Sequence, residues 1–212
     1  KPWFGCACCP SNVSRFIPSL PGYVYAVKDN QVYVNLYLSN KAELIINKKK
    51  VVLEQETGYP WNGDIRVKVA QGNQEFALKL RIPGWVRNEV LPSDLYSYAD
   101  NQKPTYRIIV NGQETANTLN NGYLSIERKW KKGDVVKIHF DMLPRIVKAN
   151  EKVVDDKGRV SVERGPIVYC AEWPDNKCNV HTVLLNQHPQ FKVVEKPELL
   201  YGISQLKTDA QA

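Results

Sequence analysis

Apolar residues recur at every second position along most of this chain, a period that dictates β-strands rather than helices. Gln31–Leu38 alternates over its whole length, and Asp64–Val69 and Glu75–Ile82 repeat the pattern on either side of a short Gly-containing turn. Tyr106–Val110 runs into Asn111-Gly112, a strong two-residue hairpin signal. Tyr123–Glu127 and Asp134–Phe140 flank Lys132-Gly133, while Gly158–Glu163 and Ile167–Cys170 flank Gly165-Pro166. Many short strands separated by turn residues predict an all-β fold of antiparallel sandwich modules. With one face of each strand in water, the Lys and Arg at alternate positions fall on the wet side.

One segment reads as helix. Ser11–Ile17 has helical spacing, Pro10 suits the first helical position with Cys9 near the cap, and Pro18 and Pro21-Gly22 close it. A helix this short does not stand alone in water, so it must pack on something. Val86–Pro104 is polar, carries two prolines and reads as a long loop. The tail from Lys207 is expected to fray. A module boundary is placed near Pro144, giving residues 1–20 as the short helical leader, 21–143 as a sandwich and 144–212 as a second β module that is incomplete. Repeats and low-complexity tracts are not found.

The 212 residues carry 29 basic and 22 acidic side chains, a net charge of +7. That invites a nucleic-acid reading, but the basic residues are scattered. The densest groups, Lys48–Lys50 and Lys129–Lys132, sit beside Asn or Gly as turns do. No apolar run reaches the roughly 18 residues of a membrane span. The first residues, Lys1–Gly5, have neither the charged nor the apolar region of a signal peptide, and the chain does not open on Met, so it is expected to be processed or truncated. Neither nucleic acid nor membrane is expected as a partner.

Five cysteines remain to be explained. Cys6, Cys8 and Cys9 crowd together, whereas Cys170 and Cys178 lie far downstream. A disulfide framework would spread its cysteines through a shorter chain, and a bridge between such close neighbours would be strained. Consecutive thiols can reach one soft cation such as zinc if the backbone turns sharply into a helix, whose N-terminus also favours thiolate over thiol. Zinc takes about four ligands, and only His139, His181 or His188 could add to the sulfurs. No CxxC or HxxxH spacing is present, so a self-contained zinc finger is not expected. On spacing alone, cysteines without a chemical role are as good a reading as a site.

Other candidates are weaker. Trp61, Trp85, Trp130 and Trp173 could line a sugar-stacking platform, but buried core is the better reading. Glu54 with Glu56, and Asp155 with Asp156, read as solvated charge, and Cys170, in an apolar run, as core.

Residues 2–27, with Cys8-Cys9-Pro10-Ser11-Asn12 at their centre, resemble the segment around the catalytic cysteine of glycoside hydrolase family 127, the β-L-arabinofuranosidases and their relatives. The likeness continues through Gln31–Tyr37, Leu80–Trp85 and Gly158–Tyr169. It implies that the chain follows an upstream (α/α)6 catalytic barrel, with the short N-terminal helix left over from it. It implies that Cys8 is the nucleophile of a retaining glycosidase and also touches zinc, and that Cys9 is a zinc ligand. Cys6 receives no role. The family's remaining zinc ligands and its acid/base glutamate lie upstream of this motif. The resemblance therefore implies zinc in the full-length parent, weak or no zinc in this chain, and no activity of the chain alone. The expected partners are a carbohydrate substrate, the upstream barrel and, left open, a second copy in a homodimer. The alternative is an accessory sandwich that binds carbohydrate or holds a dimer. The sequence does not decide between cytoplasm and periplasm.

Overall fold

The computed structural model describes Gly5 and residues 8–115, 118–176 and 178–211. In chain order these form α1 (Cys8–Ser19), α2 (Pro21–Val24), β1 (Tyr25–Lys28), β2 (Gln31–Val34), β3 (Asn40–Ile46), β4 (Lys49–Thr57), β5 (Asp64–Gln71) and β6 (Asn73–Arg81). There follow β7 (Tyr96–Tyr98), β8 (Tyr106–Val110), β9 (Gln113–Glu114), β10 (Leu119–Asn120), β11 (Tyr123–Lys131), β12 (Val135–Phe140) and β13 (Pro144–Ala149). The chain ends with β14 (Val160–Arg164), β15 (Ile167–Tyr169), β16 (Leu184–Leu185), β17 (Lys192–Lys196), β18 (Ile203–Lys207) and β19 (Ala210–Gln211). The fold is all-β with short helical segments, as the alternation predicts.

The chain divides into two compact units. The first comprises Lys1–Tyr59, Asp64–Ile82 and Arg107–Ile138. It is a sandwich of two sheets, ordered β1-β2-β6-β11-β10 and β3-β4-β5-β12-β8-β9. Val32, Val34, Phe76, Leu78, Leu80, Leu124 and Trp130 of the first sheet face Ile46, Leu53, Ile65, Val67, Val69, Val136 and Ile138 of the second, all essentially fully buried. This alternation gives a core wherever inward residues are apolar. Trp130 is the largest of them. Its indole N–H donates to the Phe76 carbonyl at 3.0 Å and its ring stacks on the Phe76 ring.

The hairpins follow from their turns. Asn111 and Gly112 both have left-handed backbone, joining β8 to β9 as the sequence predicts. Asn47-Lys48 does the same between β3 and β4, a hairpin the period alone did not reveal. One pairing is not antiparallel: β2 runs parallel to β6. Gln31–Leu38 is accordingly not one strand. It stops at Val34, and the irregular stretch that follows lets the chain pass to β3 in the other sheet.

Asp134, buried at 3 % exposure, pins the β11–β12 turn. Its carboxylate accepts from the Lys131 backbone N–H and the Asn111 amide, both at 2.9 Å, with Arg128 at 3.8 Å. Burial alone would push this carboxyl up, but those donors and Arg128 more than offset it and hold it below the ordinary value.

The second unit comprises Pro60–Gly63, Pro83–Tyr106 and His139–Ala212. Its sheet is ordered β15-β14-β13-β7, with β16 paired to β19 and β17 to β18. The stretch expected as a long loop, Val86–Pro104, instead contains β7, which pairs with β13, and begins inside a 3-10 turn at Gly84–Arg87. Three alternating residues, Tyr96–Tyr98, suffice because β13 supplies the template. The tail does not fray either: Ala210 and Gln211 pair with Leu185 and Leu184. Gly63 approaches the Phe140 backbone so closely that a Cβ would collide with the Phe140 carbonyl, and its own carbonyl accepts the Phe140 N–H at 3.0 Å.

A buried arginine organises this unit. Arg145 is 3 % exposed and donates to Asp100, at 2.7 Å, and to Asn88, at 2.8 Å. Its guanidinium lies over the Tyr98 ring, 3.4 Å from the centroid. The Tyr98 hydroxyl in turn donates to Glu163. Burial pushes the Glu163 carboxyl above its ordinary value, although the Tyr98 hydroxyl and Arg145 draw it down.

Candidate functional site

The helix that carries Cys8 and Cys9 is longer than its sequence spacing predicts, twelve residues from Cys8 to Ser19 rather than seven. Pro10 costs little because the first-turn N–H groups have no intrahelical partners. Pro18 falls in the last turn, where only one bond is lost. Both sulfur-bearing residues therefore sit inside the first turn instead of before it. Ser11 Oγ donates to the Cys8 carbonyl and Ser14 Oγ to the Pro10 carbonyl.

Cys8 and Cys9 are both exposed and unbridged, with their sulfurs 3.8 Å apart. Two sulfurs bound to one tetrahedral zinc at about 2.3 Å stand about 3.8 Å apart. The pair is thus spaced as two thiolates on one zinc would be. Cys6 lies outside the described residues. Among the described residues no group of three or more His, Cys, Asp and Glu comes together. His139 pairs with Asp141 at 3.2 Å, His181 packs on Trp173 and His188 is exposed.

The same helix buries nothing. Val13, Phe16 and Ile17, at helical spacing, are each more than half exposed. The expectation that it packs on something is not met within the described residues, apart from Phe16 lying near Tyr23. Beyond α1, the short α2 is anchored at its end: Val24 is buried, and its carbonyl accepts the Asn35 and Leu36 N–H groups. Tyr25 donates to Asn40 and accepts from the buried Gln55. From that anchor α1 reaches about 18 Å at 1.5 Å per residue, carrying Cys8 and Cys9 at its far end.

The remaining candidates resolve individually. Glu54 binds Lys41 and Lys68, and Glu56 binds Arg66, so both are surface charges. Asp156 accepts from the Tyr96 hydroxyl and Asp155 is exposed. Trp85 and Trp130 are buried core as expected, whereas Trp61 is half-buried and Trp173 is 56 % exposed. Cys170 is exposed rather than core, because β15 is the edge strand of its sheet and ends one residue earlier. No described helix is long and apolar enough to cross a membrane.

Two family descriptions match this architecture. "Beta-L-arabinofuranosidase, GH127 middle domain" covers residues 31–142, more than half the chain, and "Glycoside hydrolase family 127 C-terminal domain" covers residues 144–202. The chain belongs to glycoside hydrolase family 127. A relative described as a non-reducing end β-L-arabinofuranosidase, from Bifidobacterium longum subsp. longum, is 34 % identical over 182 residues, which are 82 % of this chain and 24 % of that protein. A solved GH127 β-arabinofuranosidase is 79 % identical with a TM-score of 0.97, covering 100 % of this chain and 33 % of its own. A GH127 β-L-arabinofuranosidase from Geobacillus stearothermophilus T6 is 34 % identical with a TM-score of 0.85, covering 98 % of this chain and 31 % of its own. The chain spans a quarter to a third of the length of these relatives.

Proposed function

We propose that this chain is the C-terminal part of a retaining glycoside hydrolase that acts on β-L-arabinofuranosides or related plant sugars, with Cys8 as nucleophile and zinc held by Cys8 and Cys9. The observation that carries this reading is the pair of exposed sulfurs 3.8 Å apart in the first turn of a helix of a family 127 chain. The open apolar face of α1 supports it further: Val13, Phe16 and Ile17 suit an upstream barrel that packs on them.

The chemistry fits the residues. A retaining glycosidase ordinarily uses one carboxyl group as nucleophile and a second as acid and base. Here the Cys8 sulfur attacks the anomeric carbon and forms a carbon–sulfur bond as the glycosidic carbon–oxygen bond breaks. A carboxylic acid from the upstream part protonates the departing oxygen. The resulting carboxylate then takes a proton from water, which displaces the Cys8 sulfur and completes the second inversion. Zinc, when bound, keeps the sulfur ionised. On this reading the acid/base group and the remaining ligands come from the upstream part, so this chain alone should neither hold zinc firmly nor turn over sugar.

The test is metal content. Zinc in the full-length protein should be stoichiometric and should be lost on Cys9→Ala, with the fold retained by circular dichroism. Zinc unchanged in that variant would remove Cys9 from the site. A second reading, an accessory module without a catalytic role, would then stand, since the two β units fold around cores that do not involve α1.

A further inference from the structure

We infer that Asn121 is a site of spontaneous deamidation, and that the fold withholds the same reaction from Asn62 and Asn111. The chain contains three Asn-Gly pairs, Asn62-Gly63, Asn111-Gly112 and Asn121-Gly122. In such a pair the glycine nitrogen can attack the asparagine Cγ, because glycine has no Cβ to crowd the approach and turns its backbone freely. The new bond from nitrogen to Cγ closes a succinimide ring. The side-chain nitrogen leaves as ammonia, taking the proton that the glycine nitrogen gives up. Water then opens the ring at either carbonyl, leaving aspartate or isoaspartate.

Two of the pairs form a comparison within one molecule. Asn111-Gly112 joins β8 to β9 and Asn121-Gly122 joins β10 to β11, each as a two-residue loop with left-handed backbone at both positions. This is the turn that Asn-Gly favours in a hairpin. Each loop adjoins a two-residue strand at the edge of its sheet, β9 in one and β10 in the other. Dipeptide, turn and place in the sheet are therefore matched.

What differs is the hold on the asparagine. The Asn111 side-chain amide donates to Asp134 at 2.9 Å, its oxygen accepts the Val135 N–H at 2.8 Å, and its backbone N–H donates to the Val135 carbonyl at 2.9 Å. To swing toward the Gly112 nitrogen, this side chain must give up both of its bonds and leave the buried Asp134 short of a donor. The Asn121 side chain is exposed and has no hydrogen-bond partner among the described residues. Two residue pairs hold β10 to β11, and short edge elements open locally at low cost. The Ile82 N–H bonds the Gly122 carbonyl at 2.8 Å, which fixes the carbonyl side of that residue rather than its nitrogen.

Asn62-Gly63 is withheld by packing instead. Gly63 is buried, its carbonyl accepts the Phe140 N–H at 3.0 Å, and a Cβ on it would collide with the Phe140 carbonyl. Gly63 cannot turn its nitrogen toward the Asn62 side chain without losing that contact.

The experiment incubates the folded full-length protein at mildly alkaline pH and locates the mass gain by tandem mass spectrometry against a zero-time sample. Asn111 and Asn121 fall in one tryptic peptide, residues 108–128, so fragment ions compare them directly. Asn121 should convert at least about tenfold faster than Asn111, the ratio that two retained hydrogen bonds confer, and faster than Asn62. In urea the rates at Asn111 and Asn121 should converge, because the same dipeptide then reacts without a fold to hold it. Asp134→Ala, with its fold checked by circular dichroism, should raise the Asn111 rate toward that of Asn121. Asn111 or Asn62 converting as fast as Asn121 in the folded protein, or a difference between Asn111 and Asn121 that persists in urea, would overturn the inference. So would an Asn121 that stays intact while the protein is folded, or a folded Asp134→Ala variant in which Asn111 stays slow.

Discussion

The sulfurs of Cys8 and Cys9 stand 3.8 Å apart in the first turn of a helix none of whose side chains is buried. The spacing suits a shared zinc, but two sulfurs leave half of a tetrahedral shell unfilled, and affinity falls steeply when ligands are lost. Purified with zinc and then dialysed, this chain should retain well under one equivalent by elemental analysis. A full equivalent of tightly held zinc would show that Cys6 or a histidine completes the site within the chain.

The hydrophobic centre of the first unit rests on Trp130, which is fully buried and bonded to the Phe76 carbonyl. Trp130→Ala removes the indole and leaves a cavity between the sheets, at a cost of about 3–5 kcal/mol. Urea unfolding should report that loss. A change below about 1 kcal/mol would show that the two sheets do not depend on this contact.

Acid should weaken the β11–β12 turn. Asp134 is held below its ordinary range, so it contributes stability that is present above the unfolded-state value near pH 3.9 and is lost as pH falls through the lowered folded value. Asp134→Asn should therefore cost about 1–3 kcal/mol near neutrality, with the gap to the parent chain closing as pH falls below the ordinary aspartate range. A gap independent of pH would assign the effect to shape rather than charge.

Glu163 behaves in the opposite sense. Burial raises it, so the folded state holds this proton more tightly than the unfolded chain does. Its stabilising contribution is complete below the ordinary glutamate value and is lost as pH rises through the raised one. Glu163→Gln keeps an oxygen for the Tyr98 hydroxyl without the buried charge. Melting curves should place this variant at or above the parent chain near pH 7, with the difference vanishing near pH 4. A variant clearly less stable at pH 7 would mean that the attraction to Arg145 outweighs burial.

The period-two pattern made the fold class and most strands legible, because each strand buries one face and wets the other. It did not mark β7, whose three residues gain strand geometry only from pairing with β13. Nor did it mark the parallel register of β2 on β6, since register depends on partners far along the chain. The buried Arg145 left no sequence signal: its partners Asn88, Asp100 and Tyr98 lie in the stretch that reads as a polar loop. Cys8 and Cys9 were legible as a pair, whereas Trp173 reads as core and is 56 % exposed. Their exposure was not, because it is set by where a helix and an edge strand end.

Hydrolysis of an aryl β-L-arabinofuranoside tests the role of Cys8 as nucleophile most directly. Three samples are compared: this chain, the full-length protein, and the full-length Cys8→Ser variant with its fold verified. The chain alone should be inactive, because positioning and electrostatic stabilisation of the reacting groups require walls it does not supply. The full-length protein should turn over, and Cys8→Ser should lower its rate by at least about 10³-fold, since an alcohol is a far weaker nucleophile than a thiolate at neutral pH. Robust turnover by this chain, or undiminished turnover by the variant, would contradict the assignment of Cys8 as nucleophile.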